Sequence, residues 1–450
     1  MRKAAILLTL LLTFSCSDDS YTVEGNDQVP ADFQNVAWIK SFGGTGDDSA
    51  RSIIQTNDGG YAILGMTNSI DVDLEFKALP VNDYWLVKLD ANGNLQWQKT
   101  YGGSKDDQGQ QVIQTSDGGY ALTGYAMSDD GDGSNNEGFH DNWILRLDAS
   151  GNIMWEKSFG FSGHDHSYDL VETADGGFFF SGFLDVTSSN GEGSTDKGTL
   201  TAHGVGEFWG TKIDGNGNLE WRKFFGGTNN DRSFGVVNAH DGGYVLTGAS
   251  ESDDFDIGNP KGSYDFWVVK VDKNGTLVWE SSFGGTGIDQ AQDILAVPDG
   301  SYVIVGNTFS SDTQVTNNNG QSDVWLIKVG NAGELLWQKN FGGVGFDAAH
   351  SVRLTSDGGL LVCGNSKSFD GDVSKNFGEN DIWVFKTDAS GNIEWESSFG
   401  GLSLDFGYDA VEGTNGNIVL VGETASQDFP EVDPKGGIDM VVVSLNGLKS

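Results

Sequence analysis

The chain is poor in cysteine, in proline and in positive charge. Only two of its 450 residues are cysteine and six are proline, so no disulfide framework holds the protein together. Lysine and arginine number 26 against 65 aspartates and glutamates, a formal net charge of -39 that argues against nucleic-acid binding, because phosphate groups require clustered cations. Glycine (66 residues) and aromatic residues (11%) are instead abundant, which favours short strands and tight turns over disorder.

Long hydrophobic runs are also missing, apart from residues 4–14 near the N-terminus. This run follows Arg2 and Lys3 and is too short to span a bilayer, but it suits the core of a signal peptide. With Cys16 and the acidic pair after it, the segment resembles a Bacteroidetes-type lipoprotein signal. The resemblance implies a signal peptide over residues 1–15, acylation of Cys16 and an outer-membrane location, at the cell surface. The periplasmic side or a secreted chain are the alternatives, and residues 16–35 are predicted to be an acidic, flexible tether.

The strongest pattern is an internal repeat marked by tryptophan. A tryptophan stands four residues before each of seven aromatic-glycine pairs. Six more tryptophans each lie twelve residues before one of the last six of those seven tryptophans. The two sets account for all 13 tryptophans in the chain. Chance does not produce such spacing, so the chain contains seven copies of one structural unit. The aromatic residues of the seven pairs are Phe42, Tyr101, Phe159, Phe225, Phe283, Phe341 and Phe399.

Each unit contains four short runs with the composition of β-strands. In the first unit these are residues 52–55, 61–65, 84–89 and 95–100, with Asp58-Gly59 as the first tight turn. The pattern predicts an all-β, seven-bladed β-propeller over residues 36–447, with four antiparallel strands per blade. The chain begins with a fourth-strand run and finishes with a third-strand run, so the N-terminal strand is expected to complete the last blade. An eight-bladed ring or an open array is the alternative.

The unit also resembles a known repeat. It reads Asp-x-x-Gly-Asn-x-x-Trp-x-Lys-x-Phe-Gly-Gly and continues to Asp-Gly-Gly-Tyr, which is similar to the SBBP-type β-propeller repeat of exported Bacteroidetes proteins. That resemblance implies the fold and an exported location but no single activity. The segment from Gly93 to Trp97 further resembles the tryptophan-docking repeat of PQQ-dependent quinoproteins and of a propeller lipoprotein in outer-membrane assembly. The vicinal cysteine pair of quinoproteins is absent from the sequence.

Loop length separates two faces of the predicted propeller. All length variation lies between the second and third strands, so functional residues are expected on this long-loop face. Two of these loops place oxygen side chains at the spacing of calcium loops, although neither has the central glycine of an EF-type loop, and Asx turns are the alternative. The predicted calcium ligands are Asp130, Asp132, Ser134, Asn136 and Asp141 in one loop and Asp370, Asp372, Ser374, Asn376 and Asp381 in the other.

An aspartate also stands six positions beyond each aromatic anchor. A structural role, in which the carboxylate accepts backbone amides at the entry to each blade, is favoured over a ring of cation sites around the channel. The seven aspartates are Asp48, Asp107, Asp165, Asp231, Asp289, Asp347 and Asp405.

The third unit departs most from the repeat, with eight extra residues in its long loop and with four of the six histidines of the chain on its side. Because local departures from a regular array mark function, a ligand site is expected here. The predicted ligand-binding residues are His140, His164, His166, His203 and Glu207. His164 and His166 could project together and bind a transition metal or sugar groups, and ordinary surface histidines are the alternative.

The sequence contains no nucleophile elbow, phosphate loop or zinc motif, and we assign no catalytic residue from it. The predicted function is a non-catalytic, lipid-anchored and monomeric propeller that binds a protein or a glycan on its long-loop face. Calcium is the one predicted cofactor. A carbohydrate-active enzyme and a PQQ-like outer-membrane assembly scaffold remain as alternatives.

Overall fold

The computed structural model describes residues 35–185 and 206–447, which form seven four-stranded antiparallel sheets. The predicted signal peptide, Cys16 and the predicted tether up to residue 34 lie outside the described residues, as does His203. The strands are, blade by blade, β2 (Asp48–Gln55), β3 (Tyr61–Thr67), β4 (Asp83–Leu89) and β5 (Leu95–Tyr101); β6 (Asp107–Gln114), β7 (Tyr120–Ala126), β8 (Asp141–Leu147) and β9 (Ile153–Phe159); β10 (Asp165–Glu172), β11 (Phe178–Leu184), β12 (Glu207–Ile213) and β13 (Leu219–Phe225); β14 (Asp231–Asn238), β15 (Tyr244–Ser250), β16 (Asp265–Val271) and β17 (Leu277–Phe283); β18 (Asp289–Ala296), β19 (Tyr302–Thr308), β20 (Asp323–Val329) and β21 (Leu335–Phe341); β22 (Asp347–Leu354), β23 (Leu360–Ser366), β24 (Asp381–Thr387) and β25 (Ile393–Phe399); and β26 (Asp405–Glu412), β27 (Ile418–Thr424), β28 (Asp439–Leu445) and β1 (Val36–Phe42).

The N-terminal strand closes the ring. β1 pairs antiparallel with β28, with Lys40 opposite Val442 and Phe42 opposite Met440, so the seventh sheet has the order β1-β28-β27-β26. The first strands of neighbouring blades contact one another around the centre, and those of the first and seventh blades do so as well. The predicted seven-bladed propeller and its mode of closure are therefore confirmed, and the pairing leaves no free edge at the seam.

The first strand of the first blade is longer than predicted from the sequence. It begins at Asp48 rather than at Ser52, and the prediction missed the added residues because Ser49 and Arg51 interrupt the apolar pattern. The register between this strand and the next shifts between Ala50 and Ser52, a bulge that recurs in all seven blades. The polar side chains of these strands face the central channel, which explains why their composition resembles that of a loop.

The core lies between the blades and is built from the repeating tryptophans. The six tryptophans of the third strands are fully buried, whereas those of the outermost strands are half-buried. Tyr84 of the first blade packs edge-to-face on Trp143 of the second, with ring centroids 4.9 Å apart, and its hydroxyl donates to the Trp143 carbonyl oxygen at 3.1 Å. Such aromatic contacts between neighbouring sheets hold the ring together.

The seven aspartates at the start of the first strands have the structural role that the sequence predicts. Each is buried, and its Oδ2 accepts the backbone amide of the residue four positions earlier at 2.7–3.0 Å. At Asp48, the hydroxyls of Thr67 and Ser69 donate to the same carboxylate. These bonds fix the connection between blades on the long-loop face.

Helical structure is nearly absent from the described residues, where one short 3-10 turn, Val72–Leu74, lies in the first long loop. Across residues 35–185 and 206–447 no helix has the length and hydropathy that crossing a membrane would require.

Candidate functional site: a histidine cluster on the long-loop face

The long loops and the connections between blades lie on the same face. The residue before a third strand forms a parallel bridge with the residue before the next blade's first strand, as in His140 with His164. The amide of Asp165 then donates to the carbonyl oxygen of His140 at 2.7 Å. We call each such pairing a blade junction.

Three of the five predicted ligand-binding residues meet at the junction of the second and third blades. His140 precedes β8, His164 lies in the connection, and His166 is the second residue of β10. Nδ1 of His140 lies 3.0 Å from Nδ1 of His164 and 3.3 Å from Nε2 of His166. The structure thus brings together three imidazole nitrogens that the sequence separates by up to 26 residues.

Aromatic rings surround this histidine cluster. Tyr125 stacks on His166 with ring centroids 3.9 Å apart, and Phe139, which is 57% exposed, stacks on His164 at 5.0 Å. The Tyr168 hydroxyl lies 3.2 Å from Nδ1 of His166. The cluster is therefore held on one side by half-buried tyrosine rings and reaches solvent beside Phe139.

Burial keeps two of the histidines neutral. Desolvation, with a smaller contribution from the neighbouring imidazoles, lowers the pKa of His166 to about 3 and also lowers the pKa of His140. Asp106 opposes this effect at His140, since its Oδ2 lies 3.9 Å from the Nε2 atom. At neutral pH both rings are uncharged, the form that accepts hydrogen bonds and binds metal ions.

Glu207 does not belong to the cluster. It begins β12, in register with Leu184, which in turn pairs with Asp165, so two strand spacings of about 4.8 Å each separate it from β10. Its carboxylate instead lies at the next junction, beside Gly226 and Asp231. The predicted set of five residues is thus not one site, and His203 lies outside the described residues.

The aspartates of the calcium-like loops accept backbone amides of the connections between blades. Oδ1 of Asp130 accepts the Ser104 amide at 2.8 Å, and Oδ2 of Asp132 accepts the Gly102 amide at 3.3 Å. Equivalent aspartates form the first of these bonds in the other long loops that lack the full calcium spacing, namely Asp71, Asp254, Asp312 and Asp428. The aspartate spacing is therefore accounted for by loop folding.

The second calcium-like loop repeats this arrangement. Asp370 accepts the Val344 amide at 2.9 Å and Asp372 accepts the Gly342 amide at 3.1 Å. Most of the other predicted ligands form hydrogen bonds within their own blade. Ser134 donates to Glu156, and the side-chain amides of Asn136 and Asn376 donate to the carbonyl oxygens of Ala126 and Ser366. Asp141 and Asp381 accept the backbone amides of Glu137 and Phe377, and Ser374 is exposed. Within the described ranges, the one group of three or more histidine, cysteine, aspartate or glutamate side chains that meets the spacing of a metal site is the histidine cluster. Calcium binding at the loops stays a prediction.

The central channel contains a polar site that the sequence analysis missed. Arg353 of the sixth blade bonds to Asp293 at 2.5 Å and to Asp409 at 2.9 Å, beside a cavity of about 290 Å³. Asp169 also lines this cavity, and burial raises its pKa to about 7, with Asp293 adding to the effect. The three aspartates directly follow the bulges of their strands, and Arg353 lies two residues past the equivalent position of its own. The sequence signal is therefore charged residues on the first strands of four blades, which the closed ring brings together.

Comparisons with known proteins concern the fold and transfer no activity to this chain. No protein-family model matches it. The regulatory protein FlaEY of Caulobacter vibrioides is 28% identical over 223 residues, 44% of this chain and 23% of that protein, so the chain spans under a quarter of its length. Among solved structures, the Pan2 WD40 domain of Neurospora crassa is 12% identical, with a TM-score of 0.47 over 90% of this chain and 91% of that one. BamB of Moraxella catarrhalis is 10% identical, with a TM-score of 0.41 over 90% and 99%.

Proposed function

We propose that this protein is a non-catalytic, lipid-anchored propeller of the bacterial cell envelope that binds a partner protein or a glycan through its long-loop face, acting as a monomer. The address rests on the sequence resemblance to a lipoprotein signal at Cys16 and to the SBBP-type repeat. The binding role rests on the apolar side chains that the long-loop face exposes.

The observation that carries the proposal is the set of apolar side chains that the long-loop face exposes. Phe369 is 73% exposed and Leu402 is 72% exposed, where burial would be the favoured state of such side chains. Among the described residues, eleven large hydrophobic side chains of this face are exposed, namely Ile70, Val72, Phe76, Leu79, Phe139, Phe255, Ile288, Phe309, Val344, Phe369 and Leu402. Among the described residues, the long-loop face thus holds the larger share of the exposed apolar side chains, as expected of an interaction surface.

The test compares variants of this face with matched variants elsewhere. The double variant Phe369→Ser, Leu402→Ser removes the two most exposed apolar side chains, and the control Met154→Ser, Val278→Ser removes two from outermost strands. Wild type and both variants are applied to a glycan array and used in pull-downs from envelope extract, with and without calcium. We expect the first variant to lose a bound partner that the control retains. Equal binding by all three proteins contradicts the proposal, and cleavage of a glycan on the array supports the enzyme alternative.

A further inference from the structure

We infer that His140, His164 and His166 form a binding site for a transition-metal ion of the Zn²⁺, Co²⁺, Ni²⁺ and Cu²⁺ group, at the junction of the second and third blades. Nothing in this inference requires the apolar surface proposed above. It rests on the spacing of the three nitrogens, on the groups behind two of the rings, and on a comparison with the other junctions.

The nitrogens are spaced as metal ligands are. A tetrahedral ion bound at about 2.0–2.1 Å by imidazole nitrogens places those nitrogens about 3.3 Å apart. The separations from Nδ1 of His140 are 3.0 Å to His164 and 3.3 Å to His166, and all three donor atoms lie within 4.8 Å of one another. Small side-chain rotations therefore suffice to bring the three nitrogens around one ion.

Hydrogen bonding alone satisfies this arrangement poorly. A neutral imidazole has one N–H donor and one acceptor nitrogen, so Nδ1 of His140 can be a donor or an acceptor but not both. It nevertheless faces a ring nitrogen of His164 and another of His166. A metal ion would accept the lone pairs of all three nitrogens at once.

A group behind one of the rings fits the pattern of metal-binding histidines, and a charge lies behind a second. Such histidines typically donate their second ring N–H to a carboxylate, a carbonyl or another oxygen, which fixes the tautomer. Nδ1 of His166 lies 3.2 Å from the Tyr168 hydroxyl, within hydrogen-bond distance. Nε2 of His140 is buried without a hydrogen-bond partner and lies 3.9 Å from Oδ2 of Asp106, an ion-pair distance.

The other junctions place different residues at these three positions. The fifth and sixth blades have Ser322, Phe346 and Ala348, which cannot bind a metal ion together. At the junction of the second and third blades, three protein ligands leave a fourth tetrahedral position for water or for a donor atom of a bound molecule.

The experiment uses the full, untagged chain, freed of metal by a chelator and dialysed. Titration with Co²⁺ and with Zn²⁺ is followed by visible absorbance and by calorimetry. We expect one ion per chain, the absorbance of tetrahedral cobalt, and displacement of cobalt by zinc. His164→Ala and His140→Ala should each weaken binding at least tenfold, whereas His240→Ala, an exposed histidine of a tight turn, should not change it.

A further variant separates a metal site from a general effect on folding. Asp106→Asn leaves all three ligands in place and is expected to weaken zinc binding by less than about tenfold, because Asp106 contributes a nearby charge but no hydrogen bond to His140. The melting temperature of each metal-free variant, measured alongside, shows that the chain is folded. Absence of stoichiometric binding by the folded wild type, or wild-type affinity in folded His164→Ala, overturns the inference.

Discussion

The junction of the second and third blades and that of the fifth and sixth share one backbone and differ in chemistry. In each, the residue before a third strand bridges to the residue before the next first strand, His140 to His164 in one and Ser322 to Phe346 in the other. In each, a buried aspartate follows both bridged residues. The repeated aspartates and glycines thus set the shared backbone of a junction, which we call its frame. The bridged positions can carry different side chains in different junctions.

Burial favours uncharged groups at both junctions. At the junction of the second and third blades it lowers the pKa of His166 to about 3 and raises the pKa of Asp165 to about 8. At the junction of the fifth and sixth blades it raises the pKa of Asp323 to about 7, where Asp347 and Asp372 add to the effect, and Oδ1 of Asp323 has no hydrogen-bond partner among the residues described. Both junctions thus favour an uncharged acid, and the first adds an uncharged base.

The largest expected effect tests the shared frame. Trp143→Ala and Trp325→Ala each remove a fully buried indole whose N–H bonds to the outermost strand, to Glu156 at 2.9 Å and to Gln338 at 3.0 Å. Each should lower the free energy of unfolding by about 3–5 kcal/mol, because truncation of a buried tryptophan leaves a large cavity. Urea denaturation measures the free energy of unfolding of both variants. A decrease in only one of them would contradict equivalent frames in the two blades.

A smaller effect should distinguish the two frame aspartates. Asp347 accepts bonds from the hydroxyls of Ser366 and Ser368 as well as a backbone amide, whereas the Asp165 bonds come from the amides of Phe161 and Asp185. Burial raises the pKa of Asp165 to about 8, so its carboxyl is largely protonated at pH 7.

Substitution by asparagine should cost more at Asp165 than at Asp347. Both oxygens of Asp165 accept backbone amides, so the NH₂ group of asparagine faces an N–H donor on either side, a loss of about 1–3 kcal/mol. At Asp347 the NH₂ group can take the place of Oδ1, where the Ser366 hydroxyl can rotate to accept from it. Thermal melts at pH 7 with matched buffers test this order, which a greater loss in Asp347→Asn would reverse.

The pH dependence of stability should differ in sign between two buried groups, Asp323 of one junction and His166 of the other. The folded state holds the Asp323 proton up to about pH 7, against 3.8 as the ordinary value, so this residue makes stability fall as pH rises from about 4 to 7. His166 binds its proton less readily when folded, so it makes stability fall as pH drops from about 6.5 to 3.

Two variants isolate these contributions. In the wild type, Asp323 should lower the free energy of unfolding by less than about 1.4 kcal/mol per pH unit as pH rises from 5 to 7, and Asp323→Asn should remove this decrease. His166→Gln should remove the decrease in the free energy of unfolding that His166 causes as pH falls below 6. Urea titrations at closely spaced pH values measure the slopes. Unchanged slopes in both variants would show that these groups titrate as they do in the unfolded chain.

The sequence predicts the frame far better than the site. The spacing of Trp85, Gly93 and their repeats defines the strands, because each unit obeys the same local geometry. Repeat register also brings His140 and His164 to one junction, since bridged positions recur in every unit. The same register places Glu207, which follows the bridged residue Gly206, at the next junction. It does not reveal that Arg353 bonds to Asp293 and Asp409, because these bonds depend on how strands from different blades face one another.

The smallest effect concerns a cation that some junctions already contain. At the seventh and first blades, Nζ of Lys435 bonds to Asp73 at 2.9 Å and to the Ser41 carbonyl oxygen, and it opposes the rise that burial causes in the pKa of Asp439. Asn319 is exposed and occupies the position of Lys435, since its amide likewise donates to the aspartate four residues later.

Asn319→Lys should therefore place an ammonium group beside Asp323 and Asp372, the latter being the counterpart of Asp73. It should also reduce the pH dependence of stability that comes from the junction of the fifth and sixth blades. We expect a gain of about 0.5–1 kcal/mol at pH 8, as for a partly exposed ion pair. Lys261 supplies the natural control. It has the same position in the fourth blade, but there Gln314 replaces the second carboxylate and the ammonium bonds to the Asn259 carbonyl oxygen instead. The double variant Asn319→Lys, Asp372→Gln should consequently lose the gain, and a gain that persists in it would show that the carboxylate pair does not hold the cation.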